Sequence, residues 1–228
     1  MTQLLISVSS VDEAQMALEH GADFIDLKDP NKGALGALSL EIVREAVVFV
    51  SLHDAHGKRL TSATIGDLPM QPALILERVA ALASTEVDII KIGFFAGADY
   101  QPCLDALQVI TKAGVKLVAV LFAEFEYPAN LIHAIKAAGF YGVMLDTSHK
   151  NGATFLDYFS EDEIRNLAEQ VQTQGLIFGL AGSLNIQHIA MVKPLNPTYM
   201  GFRGGVCLDN QRKSNLDAEK IKALRKMM

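Results

Sequence analysis

The chain of 228 residues fits one α/β barrel, a fold that typically takes about 250 residues. Half of its residues are hydrophobic and 20% are charged, which supports a buried core and excludes a disordered chain. The formal net charge of −6 argues against nucleic acid as the main partner, because nucleic-acid binders carry a dense basic face. A small anionic ligand remains compatible with this charge, since a few local cations can bind phosphate on an acidic protein.

Targeting and membrane signals are not apparent in the sequence. Cys103 and Cys207 lack any CxxC or metal-ligand spacing, so we expect reduced thiols. The N-terminal segment has no basic leader, and no run approaches the roughly 18 apolar residues of a spanning helix. We therefore expect a cytoplasmic protein without a membrane partner.

Short apolar runs alternate with longer amphipathic segments along the whole chain. The predicted strands are Leu4–Val8, Asp23–Asp29, Arg59–Asp67, Asp88–Phe94, Lys116–Glu124, Tyr141–Thr147, Leu176–Ser183 and Thr198–Gly205. The predicted helices are Val11–His20, Ser39–Val50, Pro72–Ser84, Ala98–Ala113, Pro128–Ala138, Ser160–Thr173, Asn185–Val192 and Asp217–Lys226.

Alternating strands and helices predict a parallel sheet with the helices packed around it. Because no domain boundary interrupts the pattern, we predict a single (β/α)8 TIM barrel over residues 1–228. An open doubly wound sheet is the alternative. The absence of a GxGxxG turn after the first strand weighs against it.

Several predicted strands carry polar residues where a parallel barrel should be apolar, near their C-terminal ends. Side chains alternate along a strand, so Asp26 and Lys28 share one face, which we predict points into the barrel. The same alternation turns Lys91 inward, with Gly93 leaving space beside it, and turns Asp146 inward. Barrel active sites lie at this end of the strands.

Two inward lysines predict amine chemistry. Burial and repulsion between two close cations both lower the pKa of a lysine, which favours a neutral amine near neutral pH. Such an amine can attack a carbonyl and form a Schiff base. The alternative is structural: an ion pair between Lys28 and Asp146, or a lysine that extends out of the barrel mouth.

The loops after the seventh and eighth strands resemble the phosphate-binding loops of many barrels. In the first loop, Gly182 allows close backbone approach and Ser183 adds a hydroxyl group. In the second, Gly204 and Gly205 follow Arg203, whose guanidinium we predict makes a bidentate contact with phosphate. The alternative is that these glycines only permit tight turns.

Other polar residues are weaker candidates. His53 and His56 lack strand-end carboxylates to complete a metal site, so we predict a solvated loop and no metal. Glu124 and Glu126 follow the fifth strand. They are either auxiliary acids or bases of the site or solvated loop residues. Lys150, four residues after Asp146, either closes over the site to meet a substrate phosphate or is exposed.

Six motifs occur together in a specific order. They are Ile25–Pro30 with Gly33 and Gly36, Ser62–Asp67, Ile90–Gly93, Met144–Thr147 with Lys150, Leu180–Ser183 and Arg203–Cys207. Their combination, which runs over essentially the whole chain, resembles the (5-formylfuran-3-yl)methyl phosphate synthase family. The segments 122–128 and 208–214, which include Glu124 and Arg212, are less like that family.

The resemblance implies that two molecules of glyceraldehyde 3-phosphate condense, with loss of phosphate and water, into a furan precursor of methanofuran. It implies that Lys28 is the Schiff-base lysine and Lys91 the proton-transferring lysine, with Asp146 and Lys150 also in the site. It implies no metal and no organic cofactor.

Two other functions remain open from the sequence. One is a Schiff-base aldolase or isomerase acting on another sugar phosphate, because barrels host many chemistries. The other is a noncatalytic sensor of a phosphorylated metabolite. Phe49 and Phe155, which we expect to be exposed apolar residues on the helices, indicate an interface of a homo-oligomer.

Overall fold

The structure, a computed structural model, describes residues 2–54, 57–97, 99–149 and 151–228. The strands are β1 (Gln3–Val8), β2 (Phe24–Leu27), β3 (Leu60–Thr64), β4 (Ile89–Phe94), β5 (Lys116–Phe122), β6 (Gly142–Asp146), β7 (Ile177–Leu180) and β8 (Tyr199–Phe202). The α-helices are α1 (Val11–Glu19), α2 (Leu40–His53), α3 (Pro72–Ala83), α4 (Gln101–Lys112), α5 (Leu131–Ala137), α6 (Glu161–Thr173), α7 (Ile189–Val192) and α8 (Ala218–Met227).

The strands form a closed parallel barrel in which each strand pairs with the next and β8 pairs with β1. This confirms the predicted (β/α)8 barrel and excludes the open sheet. Several strands are shorter than predicted. β7 ends at Leu180 because Gly182 (φ 100°) and Ser183 (φ 52°) turn the chain into a loop.

The predicted alternation of side chains is confirmed in the packing. Ile25, Leu27 and Ile90 belong to the outer core between the barrel and its helices. A second cluster fills the barrel interior, with the rings of Phe24 and Tyr199 tilted against each other near its floor at a centroid distance of 5.0 Å. Ser7, Asp26, Ser62 and Lys91 lie further along their strands than this floor.

Arg203 has a different role from the predicted one. Its guanidinium is buried, forms an ion pair with Glu13 of α1 and donates to the carbonyl oxygens of Ser7, Arg212 and Ser214. Because all five N–H donors of a guanidinium are used in these contacts, none remains for a bidentate phosphate contact. The prediction of a phosphate-binding Arg203 side chain is wrong. Arg203 instead fastens the loop after β8 to β1 and α1.

A second correction concerns the two aromatic residues. Phe155 is fully buried in the outer core, so it offers no interface. Phe49 is half-buried and stacks on His53 at 4.1 Å between ring centroids. Within the described ranges, no helix combines the length and apolar character that crossing a membrane requires.

The buried Arg203–Glu13 pair predicts a large loss of stability when one partner is removed. Arg203→Met leaves the Glu13 carboxylate buried without its cation, so we expect the free energy of unfolding to fall by about 3–5 kcal/mol. Arg165→Met is the matched control, since its pair with Glu161 is exposed to solvent and should contribute under about 1 kcal/mol. Urea denaturation measures both variants, and similar losses for the two would contradict this role of Arg203.

Candidate active site

The two lysines predicted to point inward meet at one carboxylate. Lys91 Nζ lies 2.6 Å from Asp26 Oδ1, and Lys28 Nζ lies 4.0 Å from Asp26 Oδ2. All three side chains are buried inside the barrel. The structure thus confirms that β2 and β4 bring both amines together. It pairs Lys91 with Asp26, not Lys28 with Asp146 as the structural alternative supposed.

Two hydroxyl groups hold the shared carboxylate in place. Ser7 on β1 and Ser62 on β3 are the residues directly opposite Asp26 in the register of the sheet. Ser7 Oγ donates to Asp26 Oδ2 at 2.9 Å and Ser62 Oγ donates to Oδ1 at 2.7 Å. Asp26 therefore has hydrogen bonds from both neighbouring strands and is fixed under the two lysines.

Burial and the charge of Lys28 disfavour the protonated form of Lys91. Burial is the largest influence on the pKa of Lys91 and lowers it, the charge of Lys28 lowers it further, and Asp26 offsets this only in part. Burial by itself raises the pKa of Asp26, but the charges of Lys91 and Lys28 outweigh it, so this pKa lies below its ordinary value. The carboxylate stays ionised while Lys91 releases its proton more readily than an exposed lysine.

Apolar groups cover the region around Lys91. A side chain at Gly93 would meet the ring of Phe95 at 2.8 Å and Leu35 Cδ1 at 2.9 Å, so these residues fill the space that we predicted beside the lysine. Met144 Sδ lies 3.9 Å from Lys91 Nζ. A thioether is a weak acceptor, which leaves Asp26 as the principal hydrogen-bond partner of this amine.

The loop after β2 reaches the barrel mouth because Asp67 holds it there. Asp67 Oδ2 accepts the backbone N–H of Ala34 at 2.7 Å, and Oδ1 accepts that of Leu35 at 2.8 Å. Gly33 (φ 93°) permits this approach, since a side chain there would collide with the Asp67 carboxylate. The motif glycine therefore shapes a lid of apolar residues over the lysine cluster.

A cavity of about 440 Å³ opens at the C-terminal ends of the strands. Lys28 and Asp146 line it, whereas Lys91 and Asp26 lie behind them and do not. Asp146 Oδ1 accepts the backbone N–H of Thr147 at 2.7 Å. A ligand in the cavity would thus meet Lys28 first. The prediction that Asp26 contacts substrate directly is not supported by its place beneath the lysines.

Backbone donors line the opposite wall of this cavity. Gly182, Ser183, Gly204 and Gly205 all border it, and their N–H groups have no acceptor among the described residues. The two loops are in close contact, because a side chain at Gly205 would lie 2.4 Å from the carbonyl oxygen of Leu184. Such a concentration of free N–H groups suits an anion.

The remaining sequence candidates separate into different roles. Glu124 accepts the backbone N–H groups of Ser148 and His149, both at 2.9 Å, and so anchors the loop after β6. Glu126 is exposed. Lys150 and His56 lie outside the described residues. In the described part of the chain, no group of three or more His, Cys, Asp and Glu side chains is arranged to hold a metal ion.

Sequence reasoning missed three contributors to the site. Ser7 and Ser62 occupy inward strand positions, so the alternation that identified Lys28 would also have identified them. Arg212 lines the cavity from the irregular loop after β8, where no periodic pattern indicates which way a side chain points. The folded path of that loop is what brings the Arg212 side chain to the cavity.

Comparison with known proteins gives a consistent result. The model of the 4-HFC-P synthase family matches residues 4–225. A protein of Methylorubrum extorquens, provisionally named a (5-formylfuran-3-yl)methyl phosphate synthase, is 39% identical over 219 residues, covering 96% of this chain and 88% of its own. The (5-formylfuran-3-yl)methyl phosphate synthase of Methanocaldococcus jannaschii is 30% identical over 238 residues, covering 98% of each chain.

Solved structures resemble the chain in fold alone. Phosphoribosyl anthranilate isomerase from Thermococcus kodakaraensis superposes with a TM-score of 0.69 at 15% sequence identity, covering 100% of this chain and 98% of its own. At that identity the likeness extends to the barrel and not to the chemistry. The family match and the relatives span nearly the whole sequence, and the chain therefore belongs to the (5-formylfuran-3-yl)methyl phosphate synthase family.

Proposed function

We propose that this protein condenses two molecules of glyceraldehyde 3-phosphate into (5-formylfuran-3-yl)methyl phosphate through a Schiff base on Lys28. The observation that carries the proposal is the placement of the Lys28 amine on the wall of the cavity, with Lys91 and Asp26 directly behind it. Membership of the synthase family supports the product.

The first step belongs to Lys28, the lysine that a ligand in the cavity meets. Its neutral amine adds to the aldehyde carbon, and loss of water gives an imine. The imine withdraws electrons from the adjacent carbon and makes its C–H bond more acidic. Asp146 lines the same cavity, and we assign to it the transfer of the protons of addition and dehydration.

Lys91 serves as the base for the carbon acid. Its lowered pKa increases the share of neutral amine at neutral pH, and a base is most effective when its pKa lies near the working pH. Removal of the proton gives an enamine, which expels the phosphate from its own third carbon. That carbon then bonds to the central carbon of the second triose phosphate, which reacts as its ketone isomer. Ring closure through the free hydroxyl group of the second triose loses two water molecules. Hydrolysis of the imine then frees Lys28 and leaves the formyl group, which accounts for every atom of the two trioses.

The backbone donors of the loops after β7 and β8 hold a substrate phosphate in this scheme. The residues that carry them line the same cavity as Lys28, so a phosphate bound by these N–H groups would fix the triose with its carbonyl near the amine. Fixing the reacting atoms in this way is a large contribution to rate in its own right.

Borohydride trapping tests the nucleophile. With glyceraldehyde 3-phosphate and reductant, mass spectrometry should find an adduct on Lys28 of the wild type and none on Lys28→Ala. Lys91→Met should still be trapped, yet its furan production should fall by about 10²–10⁴-fold, the usual contribution of a general base.

Lys32→Ala is the control for this experiment, because Lys32 follows in the same loop but its side chain is 64% exposed. It should be trapped as the wild type is. An adduct that survives Lys28→Ala would contradict the assignment. A triose isomer or an open-chain hexose phosphate, in place of a furan absorbance, would favour an isomerase or aldolase.

The pH dependence of furan formation tests the pair of Lys91 and Asp26. The base form of Lys91 is the neutral amine, so the rate should rise with pH through its pKa. Asp26 raises that pKa, and Asp26→Asn should therefore lower it and move the rising limb of kcat/KM to lower pH.

Asp29→Asn is the matched control, because the Asp29 carboxylate bonds Asn31 and Lys32 and not the buried amines. Its rising limb should coincide with that of the wild type. A limb that does not move in Asp26→Asn would show that Lys91 is not the titrating base.

A further inference from the structure

The side chain of Arg212 lines the cavity, and few nearby groups of the protein balance its positive charge. Its side chain is half-buried, lines the cavity and donates from Nη2 to the carbonyl oxygen of Gly33 at 3.0 Å. Among the described residues, no carboxylate lies within ion-pair distance of it, although Asp146, Asp67 and Asp29 act on it from farther away.

Arg203 differs from Arg212 in that its guanidinium has a carboxylate partner. Arg203 uses its guanidinium on Glu13 and on backbone carbonyls, two of which, Arg212 and Ser214, belong to the loop that carries Arg212. One arginine thus fixes the loop, and the other extends from it into the cavity. A partly buried guanidinium without a carboxylate is costly unless an anion binds there.

We propose that the guanidinium of Arg212 forms a second phosphate subsite, separate from the backbone donors of the loops after β7 and β8. This inference rests on the proposed function, whose two substrate molecules bring two phosphate groups into one cavity. The backbone donors hold one phosphate, and Arg212, anchored on the loop after β2, binds the other with its remaining N–H groups.

The hydrogen bond of Arg212 to Gly33 connects the second phosphate subsite to the loop after β2. Gly33 lies in the loop whose Ala34 and Leu35 cover the lysine cluster, so a phosphate on Arg212 holds the loops after β2 and β8 together at the barrel mouth. Arg212 is thereby a specificity-determining residue for phosphorylated over unphosphorylated aldehydes.

Glycerol 3-phosphate is the appropriate probe, because it carries the phosphate but has no carbonyl to form an imine. Calorimetric titration should find two molecules bound per wild-type chain. Arg212→Met should bind one molecule per chain, or bind the second about 10- to 100-fold more weakly, the range expected for a charged hydrogen-bonded contact. Glycerol should not compete with the probe in either protein.

Lys213→Met is the matched control: the neighbouring lysine is exposed and does not line the cavity, so this variant should bind two molecules as the wild type does. Fewer than two molecules on the wild type would overturn the second subsite, whether or not Arg212→Met folds. Two molecules of unchanged affinity on a folded Arg212→Met would also overturn it. If the wild type binds two molecules but yields no borohydride adduct with glyceraldehyde 3-phosphate, the imine chemistry fails and the subsite stands.

Discussion

The ionisation of two lysines in this barrel depends on one buried carboxylate that they share. Asp26 can neutralise one ammonium, yet Lys91 and Lys28 both approach it, and the hydroxyl groups of Ser7 and Ser62 prevent it from moving away. The cluster would carry one excess positive charge in a poorly hydrated space if both amines were protonated. Losing one proton relieves that cost, which is why burial favours a neutral amine in this cluster.

The position of the cluster along the strands then separates the roles of the two amines. Lys28, at the end of β2, reaches the cavity, whereas Lys91 remains behind it under Leu35 and Phe95. The proposed base is buried, and the proposed nucleophile borders the cavity. A similar separation applies to the arginines, since Arg203 maintains the loop after β8 and Arg212 faces the cavity.

The sequence predicted the fold and the meeting of the inward polar side chains because both depend on short-range periodicity. Two-residue alternation placed Asp26, Lys28 and Lys91 inside the barrel. The register of β2 with β3, and of β3 with β4, brought them together. It could not predict which acid pairs with which lysine, because that depends on the relative heights of residues on different strands. Arg203 was misassigned because a strand-end arginine can turn outward to Glu13 as readily as into the cavity. Phe155 was misassigned because it lies in a short 3-10 helix (Phe155–Asp157) whose burial comes from tertiary packing.

A direct test of the central claim is the ionisation of Lys91 in the protein without substrate. Carbon-13 NMR of the lysine Cε atoms across a pH titration reports each amine, with Lys91→Met identifying its resonance. The account predicts one resonance, lost in Lys91→Met, whose midpoint lies below those of the exposed lysines. If Lys91 instead titrates together with the surface lysines at about 10.4, burial beside a second cation does not produce a reactive amine, which contradicts the proposed role of Lys91.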